Sequence, residues 1–251
     1  MTAATPRYRF RHVARMEWIK LRTLRSVRWT LLLALAGMIG IGIAAGFNTR
    51  NPESDVTNNI LVGGALGSVL FAVLGVLVMT SEYSSGTIRA TLAAIPRRPL
   101  VLAAKAAVFG LVALAAGEFV TFADFLAGAA FVHGGVPRPA LSQPEVLRAV
   151  ALSGAYLALV GLIGLALGTI IRHGAAAIAT LVGLVFVAPL AGLAATPAGR
   201  YLPELIYANS MGATKPVAGF NLSPWAGLGI ICAYATVLLA FGGWLLVRHD
   251  A

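Results

Sequence analysis

Five stretches of this chain carry no charged residue at all: Trp29 to Thr49 (21 residues), Val56 to Ser81 (26), Ala149 to Ile171 (23), His173 to Gly199 (27) and Pro216 to Val247 (32). Each matches or exceeds the ~20 apolar residues that carry an α-helix across a ~30 Å hydrocarbon core. The whole sequence of 251 residues is 59% apolar, with 19 basic and 9 acidic side chains and a mean hydropathy of +0.85. So much apolar surface cannot be hidden inside a soluble domain of this size. The pattern predicts an all-α, polytopic integral membrane protein.

The segment from Leu100 to Val132 is also long enough to cross, although it contains Lys105, Glu118 and Asp124. With Lys105 at one interface, Glu118 lies about 20 Å further along at 1.5 Å per residue, and Asp124 falls near the opposite headgroups. Only Glu118 then sits within hydrocarbon, where an acid points to a bundle interior, a partner or a water-filled cavity. Either a substrate or proton role or a structural hydrogen bond fits it. Counting this segment gives six spans, at about 29–48, 58–80, 101–127, 147–171, 174–195 and 225–247. Pro189 in the fifth removes a backbone hydrogen bond and is expected to kink that helix.

Lys and Arg set orientation, because acidic residues contribute little to the rule. Fourteen fall on one side: eight before the first span, then Arg89, Arg97, Arg98, Lys105, Arg172 and Arg248. Arg50, Arg138, Arg148, Arg200 and Lys215 fall on the other. Both termini are therefore expected in the cytoplasm, with the chain in the cytoplasmic membrane. The net charge of +10 fits anionic lipid headgroups and topology control rather than nucleic acid.

Residues 1–28 form the first cytoplasmic segment. On a helix, Val13, Met16, Leu24 and Val27 share a side opposite Arg15, Arg22 and Arg25, and Lys20 intrudes on the apolar face, from which it can snorkel. This reads as an amphipathic helix in the headgroup layer before the chain enters the bilayer at Trp29; a basic flank that only fixes topology is the simpler alternative. Between spans two and three, residues 81–99 predict a short helix: Ser85 or Thr87 caps it, Gly86 allows a sharp turn, and Pro96 and Pro99 stop it. From the residues alone this is equally a structural turn. The connection at 196–224 is too long for a simple turn.

Catalytic and metal chemistry lack support. The single cysteine, Cys232, excludes an internal disulfide or a cysteine cluster, and the four histidines are scattered. A P-loop needs Gly before its lysine, but the three lysines follow Ile19, Ala104 and Thr214. Neither G-x-S-x-G nor H-E-x-x-H occurs. Gly42/Gly46, Gly63/Gly67 and Gly164/Gly168 form GxxxG pairs, which suit packing within the bundle more than a dimer seam.

The run Glu82-x-x-x-Gly86-Thr87-Ile88-Arg89-x-x-Leu92-x-x-x-Pro96-Arg97-Arg98 resembles the cytoplasmic loop of the type-2 permease family of ATP-binding-cassette (ABC) exporters. The run from Glu17 to Ser26, Leu222-Ser223-Pro224-Trp225 and the ending Arg248-His249-Asp250-Ala251 are similar to actinobacterial-type members. The resemblance implies a permease domain over 1–251 that is not itself an enzyme, with ATP and Mg on two separate cytoplasmic ATPase subunits. It further implies a second permease chain, identical or related, and a drug, peptide antibiotic or lipid moved outward. Contact with the ATPase then falls on Glu82, Gly86, Thr87, Arg89, Leu92, Pro96 and Arg97 of the coupling helix, and 196–224 holds a re-entrant or surface-lying element at the outer mouth. A membrane protein without transport, or a proton-coupled carrier, are the alternatives.

Overall fold

In the computed structural model, residues 9–51, 54–187, 199–211, 213 and 222–248 are described, and none of them forms a strand. The elements are α1 (Phe10–Thr23), α2 (Arg25–Asn48), α3 (Val56–Ile60), α4 (Gly64–Ser84), α5 (Thr87–Ala94), α6 (Arg98–Ala130), α7 (Pro144–Ile171), α8 (Gly174–Val182), α9 (Pro203–Met211) and α10 (Pro224–Arg248). A 3-10 turn, Leu61–Gly63, joins α3 to α4 into one rod. Five helices are long and apolar enough to cross a membrane: Arg25–Asn48, Val56–Ser84, Arg98–Ala130, Pro144–Ile171 and Pro224–Arg248. They match five of the six expected spans, extended by a few residues at their ends.

Of the fifth expected span, 174–195, the described part is a shorter apolar helix followed by a π turn, Gly183–Val187. Pro189, the expected kink, lies outside the described residues. Local chemistry sets the helix starts. Asp55 accepts a hydrogen bond from the Asn58 amide at 3.1 Å, His173 caps α8 through Ala176 N, and α6, α7 and α10 carry proline in their first turn, where no amide partner is lost.

The helix α7 is the centre of the bundle. It packs against α4, α6, α8, α9 and α10, and 78% of its most apolar window is buried, against 22% for α2 and for α10. These two outer helices expose Trp29, Leu32, Leu33 and Phe47, and Trp225, Val237, Phe241 and Trp244. All three GxxxG pairs meet helices of the same chain. Gly42 and Gly46 lie against α6, Gly63 against α2, Gly67 against Met38 and Leu157, and Gly164 and Gly168 against α4.

The bundle has two unlike ends. At the basic end lie α1, α5, the start of α6 and the close of α10, where Arg98 Nη1 donates to the Leu246 carbonyl at 2.8 Å. At the far end α9 closes on α3, with the Ala213 amide donating to Asp55 Oδ2 at 2.7 Å and the Tyr207 hydroxyl to the Leu61 carbonyl at 3.1 Å. The 196–224 connection thus contains a helix packed onto the bundle. The break between α1 and α2 falls at Leu24, whose backbone is extended, rather than at Trp29.

Candidate functional site

Four charged side chains from three helices close a ring at the basic end. Lys105 Nζ on α6 donates to Glu17 Oε2 on α1 at 2.5 Å and to Glu82 Oε1 on α4 at 2.7 Å. Lys20 Nζ on α1 donates to the same two acids, to Glu17 Oε1 at 3.2 Å and Glu82 Oε1 at 2.9 Å, and reaches Thr91 Oγ1 of α5 at 3.4 Å. Charges alternate around the ring and sum to zero. Glu17 is 1% exposed, Lys105 2% and Glu82 7%, so these three belong to the core, while Lys20 is 32% exposed and closes the ring at its edge.

The physical consequence is positional. Taking Glu17, Glu82 and Lys105 out of water is costly, and their attraction for each other and for the half-buried Lys20 is recovered only while all four keep their geometry. Removing one leaves an uncompensated buried charge, which costs about 3–5 kcal/mol. A rigid contact between α1, α4, α5 and α6 results. Burial works against the Lys20 ammonium, but the hydrogen bond to Glu82 and the charges of Glu17 and Glu82 outweigh it and hold its pKa above the ordinary lysine value. Glu82 sits in the last turn of α4, where the helix dipole disfavours an acid. The two ammonium partners offset that cost.

Directly beyond the ring, α4 ends and the chain reverses at Gly86, whose φ of 71° is a left-handed conformation that a side chain resists. Gly86 itself takes the N-cap position of α5, with no side-chain cap; Ser85 and Thr87, expected as caps, instead bond each other at 2.9 Å. Ile88, Thr91, Leu92 and Ile95 turn inward, and Pro96 follows to end the helix. Gly86, Thr87, Arg89, Ala90, Ala93, Pro96 and Arg97 face outward. Of the seven residues singled out in this loop, five therefore lie on the exposed surface, while Glu82 and Leu92 fasten the helix from beneath. A cavity of about 360 Å³ lies beside the ring, lined by Glu17, Lys20, Glu82, Thr87 and Lys105 among others.

Two expectations about charge change here. Lys20 does not snorkel away from the apolar face, because Glu17 and Glu82 meet it there. Lys105 is a buried ion-pair partner rather than an interfacial residue. Glu17 had no assigned role in the sequence beyond its place in a motif; an acid three residues before a lysine, both on the apolar side of α1, was the available signal.

The two acids of α6 differ in burial. Glu118 is half-buried, its carboxyl against Gly154 of α7. Asp124, expected near headgroups, is completely buried, its carboxyl pressed on Gly42 of α2. The helix continues to Ala130 and is covered by α2 and α3 there, so Asp124 stays inside. No family model matches this chain, and no curated protein matches it.

Proposed function

We propose that this chain is the membrane-spanning permease subunit of an ATP-driven exporter of the ABC type, crossing the cytoplasmic membrane six times with its basic end in the cytoplasm. It is not itself catalytic. Two separate ATPase subunits hold ATP and Mg, a second permease chain completes the pathway, and the cargo is an amphipathic or hydrophobic compound such as a drug, a peptide antibiotic or a lipid.

The observation that carries this reading is the mounting of α5. A two-turn helix with an open outer face hangs from the end of a membrane-length helix by one left-handed glycine, and an ion ring ties its base to α1, α4 and α6. A partner that displaces such a helix moves all three elements together, because the ring tolerates little independent shift. Arg89 and Arg97 give the outer face a positive charge for an acidic cleft. The excess of Lys and Arg at this end is the asymmetry of a cytoplasmic side. The exposed apolar faces of α2 and α10 suit lipid or a second permease chain.

The test is purification of the chain with the ATPase expressed alongside it, followed by ATP hydrolysis in lipid with candidate cargoes. Stimulated hydrolysis that Gly86→Pro abolishes, with membrane insertion intact, is expected. Stimulation that survives Gly86→Pro contradicts the assignment of α5.

A further inference from the structure

The far half of the bundle contains a second polar cluster. Asp124 and Thr121 on α6 are both 0% exposed, and neither Asp124 oxygen nor the Thr121 hydroxyl has a hydrogen-bond partner. Buried hydroxyls elsewhere in the bundle return to their own helix, as Thr80, Ser153 and Thr169 do four residues back. Thr121 does not, one turn from Asp124 on the same face.

Around them, Tyr207 of α9 stacks on Tyr156 of α7 with ring centroids 4.6 Å apart, and Ser153 faces the Tyr207 hydroxyl. That hydroxyl sits where a Cβ on Gly64 would stand. Both Asp124 and Glu204 lie close enough for their charges to act on it. Glu204 Oε2 and the Tyr156 hydroxyl are also without partners. Among the described residues, no lysine or arginine pairs with Asp124 or Glu204. The titratable group that Asp124 acts on is Tyr207 of α9, which in turn neighbours Glu204 of α9 and Tyr156 of α7. On α2, Gly42 lies against Asp124.

A buried carboxylate with no counter-charge is too costly to persist, and such a group within a membrane bundle marks an ion or proton site. We propose that Asp124 binds one monovalent cation, a proton or a sodium ion, with Thr121 beside it as an oxygen ligand and α9 as the cover that completes the site. Carboxylate, hydroxyl and phenol oxygens are hard donors, which suit either cation. Because α9 supplies Tyr207 and Glu204, the cation is gained or lost when α9 lifts from the far end. This site is independent of the ATPase contact on α5 and survives its loss.

The test is thermal unfolding of the purified full chain in detergent, from mildly acidic to alkaline pH, in choline and in sodium. A cation that binds only the folded state raises its stability by mass action. For a proton, the wild-type midpoint falls as pH rises in either salt; for sodium, added sodium restores the midpoint at alkaline pH. In a Glu204→Gln background, Asp124→Asn removes the sodium dependence and flattens the pH profile relative to Glu204→Gln alone. Should the Asn variant fail to fold, Thr121→Val answers instead: it shifts the pH or sodium midpoint about tenfold in cation concentration, the size of one hydrogen bond to a charged group. A wild-type profile flat in both cations, a double-variant profile that follows Glu204→Gln alone, or an unmoved midpoint in Thr121→Val overturns the site.

Discussion

The two ends of this bundle solve the problem of buried charge in opposite ways. At the basic end two acids meet two lysines, and every ring contact is a charge-assisted hydrogen bond. At the far end two acids face tyrosines and a threonine with no base among the described residues. A neutral ring is complete as it stands, so it holds position. Among the described residues the far cluster holds acids without a matching base, so its state depends on what reaches it. The proposed permease reading uses both: a stiff attachment where a motor would push, and a region at the opposite end that can change.

The largest contrast is in the cost of removing a charge. Lys105→Met leaves the two buried acids Glu17 and Glu82 sharing Lys20 alone and should destabilise the protein by about 3–5 kcal/mol in chemical unfolding. A loss near zero would mean that water already reaches the ring. Next in size is the hinge: Gly86→Ala forces an alanine into the left-handed region and should cost about 1–2 kcal/mol, read by the same assay. Asp124→Asn, by contrast, removes a charge with no partner, and its unfolding free energy should stay within about 0.5 kcal/mol of wild type at mildly acidic pH. A loss as large as that of Lys105→Met would reveal a hidden counter-charge and erase the contrast.

The smallest effect concerns Glu204, whose carboxyl burial pushes up to about 7. A carboxyl raised in the folded state stabilises while protonated, and that contribution is lost as pH climbs from the ordinary carboxylate range through about 7. Glu204→Gln should therefore match wild type in acid and exceed it above neutrality, measured as the difference in melting temperature across a pH series. Equal differences at every pH would place Glu204 in water.

Membrane-length helices were legible in the sequence because a run such as Val56 to Ser81 has no other way to satisfy its backbone in lipid. The short helix at 87–94 was legible too, from Gly86 and Pro96. The ring was not, since its members lie as far apart as Glu17 and Lys105, and each lysine alone reads as a charge that sets topology. Only Lys20, misplaced on an apolar face, and Glu82, an acid at a helix C-terminus, hinted at a partner. The burial of Asp124 was not legible, because counting residues from Lys105 gives a depth along the helix and not the face that turns toward α2. The fifth span was expected as one helix to 195, and the described part shortens into a π turn by Val187, a backbone change that hydropathy does not encode.

The account turns on the outward face of α5 meeting a separate motor. With Cys232 replaced by Ala, a photo-crosslinker placed on Arg89→Cys should form an adduct with the ATPase subunit in native membranes, and the same probe on Asn51→Cys at the far end should not. An ATPase adduct from Asn51 with none from Arg89, or none from either in a complex that hydrolyses ATP, would contradict it.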